Sequence, residues 1–512
     1  MPANAPPLAG AFAAAWNRYR LDVLAALILF AAAALAAGRV WRFPFDDEIF
    51  TMAPNVPAQF RASGWNLARF YLEGGDLHPP LTFLFFSSLY KLGVGEAAMH
   101  CCSIAMTALA LALWQLLALA LITERGAAPI CAVGRLITIL LFGLSPFAIG
   151  LGDAIRWHPQ FALCVALFIC LYLAADRSTA RLASAIPLGL AMSINLIAPL
   201  VILPFAIYRY LLEREWRASF DITFWLLFAL FALPGFYTAA SVVPELFAGS
   251  WSDTFGHSPF GAVAVDIFGL IGGNAVGLGE AWLISPAVAI AALAVGRQIE
   301  WRRPANPTHL LLLMLGAMVP AALVGFAEAR AFFYLAPVLA VVLSIFLAGS
   351  GASSRTLLLA VCALLPGLVA IGELRGGTHP FKRNAAIPFG EIIDFITGNE
   401  NGDSLIVSTD PVVPWELRKR ADLHLCVSYF FQEEACLAQP QRYRSLFIVS
   451  GYSNHSRNDR AMQGFAARVA EITRGRDKIA TIRVGRDEDA ALKTRLTGVP
   501  LDEFILTVAL YR

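Results

Sequence analysis

A succession of long apolar runs constrains this chain more than any other feature. They fall near 21–40, 79–95, 97–122, 132–152, 157–175, 183–211, 221–240, 281–296, 308–325, 332–349 and 356–373, with 183–211 read as two short spans. A helix needs roughly 20 apolar residues to cross a bilayer. Most of these runs reach or approach that length, so the sequence predicts a polytopic α-helical membrane protein with about 11–13 transmembrane helices. Composition agrees: 58% of the 512 residues are hydrophobic and 15% charged, against about 25% charged in a soluble domain. A net charge of +2 offers no bulk electrostatic case for nucleic acid. No cleavable signal peptide is evident, and the first run, Leu21 to Val40, reads as an anchor that stays.

The character of the chain changes after about residue 376, which divides it into a membrane domain, 1–375, and a C-terminal domain, 376–512. Strand-like segments at 404–408, 445–450, 479–484 and 504–511 alternate with helical patterns near 388–397 and 459–473. This alternation predicts a small soluble α/β domain. The eight cysteines have no metal spacing. Cys101, Cys102, Cys131, Cys164, Cys170 and Cys362 lie in or beside apolar runs and read as small core residues. Cys426 and Cys436 fall in the C-terminal domain, where an oxidising compartment would allow a disulfide.

Arginine placement sets the orientation. Arg18 and Arg20 precede the first run. Arg125 and Arg135, Arg177 and Arg181, Arg209, Arg214 and Arg217, Arg297, Arg302 and Arg303, and Arg355 mark later junctions. The positive-inside rule puts these on the cytoplasmic side. The segments 41–78, 151–157, 241–280, 326–331 and the C-terminal domain then face outward, which in a bacterial inner membrane is the periplasm. The crossing count conflicts with this at one place. Three apolar runs separate 41–78 from the loop at Asp153, and three full crossings would put the two on opposite sides. A re-entrant or surface-lying helix at 79–95 would restore parity; the run is short, opens with two prolines and ends in Gly93-Val94-Gly95.

The outward segments carry the ionisable residues. Asp46, Asp47 and Glu48 follow the first run between Phe45 and Phe50. Three adjacent carboxylates at a membrane surface suit a general base or a metal-binding group; the bland alternative is a solvated loop end. Asp76 and His78 precede Pro79-Pro80-Leu81. The prolines fit a helix's first turn, where a missing N–H costs nothing, and a helix N-terminus can bind phosphate with a histidine adding a hydrogen bond. Asp153 and Arg156, followed by Trp157 and His158, begin another helix, on which a local i, i+3 ion pair is the bland reading and His158 reads as a packing residue. Glu328 and Arg330 interrupt two apolar runs just before Tyr334. Ionisable residues in such places tend to serve substrates, and arginine matches phosphate through its planar fork; a snorkelling arginine is the alternative. Carboxylates, a histidine and arginines on one side of an apolar bundle suit a substrate with a phosphate, a sugar and a lipid tail.

These residues resemble the polytopic GT-C glycosyltransferases, in particular the protein O-mannosyltransferase-like branch that includes lipid A aminoarabinose and lipopolysaccharide galacturonic acid transferases. The family's Asp-Glu pair in the first external loop is matched by Asp47-Glu48. Its His-Pro-Pro-Leu is matched by His78-Pro79-Pro80-Leu81. Ser145-Pro146-Phe147, then Asp153, Arg156 and Trp157, continue the pattern, and Arg330 through Pro337 is similar to a late arginine-aromatic-proline stretch. There is a departure: the family often has Glu-Ala-Arg followed closely by tyrosine, whereas here the spacing is Asp153-Ala154-Ile155-Arg156 and Trp157-His158 occupies the tyrosine region. The resemblance implies an inverting transferase that uses a sugar on a polyprenyl phosphate and an acceptor hydroxyl on a lipid, glycan or protein. It implies Asp47 as general base, Glu48 as its orienting partner, Asp153 as a further acid near the acceptor, and His78, Arg156 and Arg330 around the leaving phosphate, with Asp46, Glu328 and Tyr334 in the substrate-binding set. It leaves a divalent metal ion open. A transporter or flippase of lipid-linked sugars is the competing reading, since charged residues in a polytopic bundle fit that too.

Overall fold

The structure is a computed structural model. It describes residues 8–36, 48, 51–52, 79–124, 132–144, 152–174, 178–214, 216–247, 307–317, 334–349, 389–410, 412–418, 420, 422–427, 439–451, 459–485 and 505–512. The chain divides into two compact units, Met1–Val40 with Trp65–Gly377, and Trp41–Gly64 with Thr378–Arg512.

The described part of the first unit is helical. Its elements are α1 (Leu8–Ala36), α2 (Leu81–Lys91), α3 (Glu96–Glu124), α4 (Ala132–Gly143), α5 (Trp157–Ala174), α6 (Ser178–Ala183), α7 (Ala185–Ile194), α8 (Pro199–Ile207) continuing into a π-helical turn (Tyr208–Glu213), α9 (Ala218–Phe247), α10 (Pro307–Gly316) and α11 (Leu335–Gly349). Among the described helices, α3 and the Ala218–Ala240 part of α9 are long and apolar enough to cross a membrane unaided. The apolar runs predicted at 281–296 and 356–373 lie outside the described residues. Helix α1 starts 13 residues before the predicted run because the alanine-rich stretch ahead of it is itself a strong helix former. Helix α9 likewise continues through residues 241–247, which the sequence assigned to an external loop.

Side-chain contacts give the helix directions. Ala11, Ala15, Tyr19 and Val23 of α1 pack on Leu119 and Ala120 near the end of α3, so α1 and α3 are antiparallel. Arg135 at the start of α4 binds both carboxylate oxygens of Asp22, at 2.7 and 2.5 Å. The thiol of Cys170, late in α5, donates to the Leu113 carbonyl, while residues just before α5 bond to the first turns of α3; α3 and α5 therefore run the same way. Buried Arg209 then meets the far end of α5 through the Tyr172 hydroxyl at 2.8 Å and the start of α9 through Asp221 at 2.7 Å. Tyr172 donates to Glu213 at 2.6 Å, Tyr210 to Asp221 at 3.2 Å and Trp225 to Tyr210 at 2.6 Å. One end of the bundle thus gathers Arg18, Arg135, Arg181 and Arg209 with their partners. The opposite end holds the start of α5.

Helix α2 resolves the crossing count. Its 11 residues span about 16 Å, well short of a hydrocarbon core of roughly 30 Å. Thr82 in its first turn donates to Gln160 in the second turn of α5 at 2.7 Å. Its last turn leads through Gly93, at φ +78°, directly into α3, whose first turns contact the same end of α5. Both ends of α2 lie at one end of the bundle, so this segment does not traverse it.

The described core of the second unit is a five-stranded mixed sheet in the order β2-β1-β3-β5-β4, built from β1 (Ser404–Ser408), β2 (Leu423–Val427), β3 (Ser445–Gly451), β4 (Lys478–Gly485) and β5 (Ile505–Tyr511). Strands β1, β2 and β3 are parallel, and β5 is antiparallel to both β3 and β4. Leu405, Val407, Cys426, Leu446 and Ile448 form one core with Phe465 and Ile472 of α14 (Asp459–Ile472). Helices α12 (Phe389–Asn399) and α13 (Val412–Leu417) complete the described elements, with Trp415 of α13 fully buried. Arg420 pairs with Glu400 and Asp422, and its guanidinium holds the Asp422 carboxyl down to about 2. Cys426 is disulfide-bonded; Cys436 lies outside the described residues. Cys170 is buried, but Cys101 is exposed on α3, contrary to the core role read for it, because a helix apolar on all sides can present a thiol to lipid as readily as to a neighbour.

Candidate active site

The site builds up at the end of the first unit where α5 begins. Residues 152–156 form a non-helical turn and the helix starts only at Trp157. Asp153 and Arg156 therefore precede the helix, and the i, i+3 geometry assumed for them does not apply. Asp153 is buried with its neighbours Ala154 and Ile155, whereas Arg156 is half-buried. The turn is fixed from α3. His100 Nδ1 lies 2.8 Å from the Asp153 carbonyl oxygen, and Thr107 Oγ1 donates to the Gly152 carbonyl at 2.9 Å. His100, Ser103 and Thr107 share a helix face at i, i+3 and i+7, and all three are buried. This stripe is a polar interruption near the start of α3, and its spacing was readable in the sequence, although no role was assigned to it.

An aromatic wall continues the site. Trp157 stacks on His158 at 3.9 Å between centroids and meets Phe161 edge-on at 5.8 Å; His158 is buried. Phe161 in turn meets Tyr334, immediately before α11, at 5.1 Å. Tyr334 is fully buried and, among the described residues, its hydroxyl has no hydrogen-bond partner; nor does that of Ser103. Two buried hydroxyls in that state at one end of a bundle call for a reason, and a polar ligand group is one. Gln160 holds the first turn of α2 through Thr82, so the helix opened by Pro79 and Pro80 is anchored beside the Asp153 turn.

In the second unit, Glu48 is fully buried and helical, with Thr51 and Met52 buried beyond it. A solvated loop end does not describe this carboxylate. Asp46, Asp47, His78, Glu328 and Arg330 lie outside the described residues. Among the described residues no group of three His, Cys, Asp or Glu could hold a metal ion.

The helical bundle of the first unit and the small mixed sheet of the second have a fold already seen in a solved structure. The particular likeness is to ArnT from Cupriavidus metallidurans bound to undecaprenyl phosphate, with a TM-score of 0.51 at 14% identity, covering 96% of this chain and 98% of that one. The apo state of the same protein matches at a TM-score of 0.48 and 14% identity over 94% and 97%. At this identity the likeness is one of fold, and it is the fold that the sequence resemblance implied. No protein-family model and no curated protein matches the sequence.

Proposed function

We propose that this protein is an inverting glycosyltransferase. It moves a sugar from a polyprenyl-phosphate donor to a hydroxyl of an envelope lipid, glycan or protein at the periplasmic face of a bacterial inner membrane. The observation that carries this reading is the end-to-end likeness to ArnT, whose solved structure holds undecaprenyl phosphate. The basic end of the bundle, read by the positive-inside rule, is cytoplasmic, which turns the Asp153 end outward. In full, the membrane domain has about 11–13 helices and the C-terminal domain lies in the periplasm.

In the proposed reaction the acceptor oxygen attacks the anomeric carbon from the face opposite the phosphate. Asp47 takes the hydroxyl proton, and the carbon–phosphate-oxygen bond breaks with its electron pair leaving on the phosphate. Charge builds on that oxygen in the transition state, so fixed cations there lower the barrier; His78, Arg156 and Arg330 are the candidates. Glu48 orients Asp47, and Asp153 sits near the acceptor. Tyr334, whose buried hydroxyl has no hydrogen-bond partner among the described residues, binds the donor alongside Asp46 and Glu328.

The test is turnover in detergent, where no compartments exist and a transporter would do nothing. Purified protein given polyprenyl-phosphate sugar and an envelope lipid extract should release free polyprenyl phosphate. Asp47→Asn should cut that rate by at least about 10³-fold, more than the usual range for a lost general base, about 10²–10⁴, would require at its lower end, while the variant still inserts and folds. Near wild-type turnover would remove Asp47 from the role of base; no release by wild type would return the question to the transporter.

A further inference from the structure

We infer that His100 is a positioning residue for Asp153. The inference rests on the proposed role of Asp153 in sugar transfer. The Asp153 turn precedes the first helical residue of α5, Trp157. Helix α3 holds it at two points: His100 reaches the Asp153 carbonyl at 2.8 Å and Thr107 the Gly152 carbonyl at 2.9 Å. A carbonyl only accepts, so His100 must carry its proton on Nδ1, and that nitrogen acts as a donor. The imidazole is fully buried in the first turns of a long apolar helix, a costly place for such a group. A leucine would satisfy the packing of that helix; it would not hold the backbone of the residue whose carboxylate is to face the substrate. Side chains that act on a reacting group must be held within about 0.5 Å of the productive geometry, and a polar stripe on a neighbouring helix is a rigid way to do this.

The chemistry makes the assignment specific to one nitrogen. An asparagine at position 100 places an amide N–H where Nδ1 stands, whereas a glutamine places it nearer Nε2. His100→Asn should keep kcat within about 3-fold of wild type, and His100→Leu should lower it about 10- to 100-fold, the scale of an ångström-level misplacement, with donor KM changed less than about 3-fold. His100→Gln should behave like leucine. Thr107→Val should shift kcat in the same direction by a smaller factor. If His100→Leu does not fold, the asparagine–glutamine contrast decides, and equal rates for those two overturn the inference. A positioning residue also predicts that His100→Leu adds nothing to Asp153→Asn; additive losses in the double variant overturn the His100 assignment. An Asp153→Asn enzyme with wild-type turnover would instead sink the proposed role of Asp153, and the inference with it.

Discussion

Arg209 links three segments at the basic end. It is buried, bonded to Asp221 and Tyr172, 3.7 Å from Glu213, and its guanidinium lies 4.7 Å from the centre of the Phe220 ring. Such a network is satisfied only as a whole. Arg209→Leu leaves the buried Asp221 carboxylate without its cation, and we expect a loss of about 3–5 kcal/mol, read as a lower melting temperature in detergent. Removing both charges in Arg209→Leu/Asp221→Leu should recover much of that loss, since a buried ion pair replaced by apolar groups is often near neutral; a double variant as unstable as the single one would show that the pair itself is favourable. The sequence marked Arg209 only as an orientation signal. Its partners come from three separate segments, and one-dimensional spacing does not relate Tyr172 to residues 37 and more positions away. The same holds at the candidate site, where Asp153, Arg156 and Tyr334 were legible as ionisable or polar interruptions of apolar runs. Gln160 and Thr82 were not, because neither is unusual until α2 and α5 are side by side.

At the scale of elements, apolar runs were legible and mixed short segments were not. Strand β1, only 5 residues long, was read from its continuous Leu405-Ile406-Val407 run, whereas β2 and α13, at 5 and 6 residues, have polar residues among the apolar ones and went unread. The packing of α7 on α9 is also beyond sequence. A Cβ on Gly235 would lie 2.2 Å from the Met192 carbonyl oxygen, and one on Gly189 would lie 2.6 Å from that of Phe228. Small residues let helix backbones approach this closely in a membrane, where dispersion rather than water drives association. Gly235→Ala must push backbone against backbone, and we expect it to cost about 1–3 kcal/mol. A thermal melt in detergent should fall accordingly, while Gly316→Ala, with nothing within 4 Å of its added carbon, should melt like wild type. A Gly235→Ala protein as stable as wild type would mean that the two helices are not in this contact.

At the scale of the whole molecule, the arrangement of ends is the claim most open to test. Leu92, after α2, is 80% exposed, and Trp216, at the Arg209 end, is 67% exposed. In a background with Cys101 and the other membrane-region cysteines replaced, Leu92→Cys should react with an impermeant maleimide from the periplasmic side. Trp216→Cys should react only after the inner membrane is opened. Labelling of both from the same side would break the two-ended arrangement. The sequence by itself determined the succession of apolar helices, the α/β character of the C-terminal part and the placing of arginines between the apolar runs, because hydropathy, strand alternation and charge are properties of contiguous residues. Only the tertiary structure decided that α2 stays at one end, that α3 carries donors for the Asp153 turn, and that the Tyr334 hydroxyl is enclosed without a partner among the described residues. Each of these depends on which distant segments meet, and burial decides what an unpaired or bonded polar group costs.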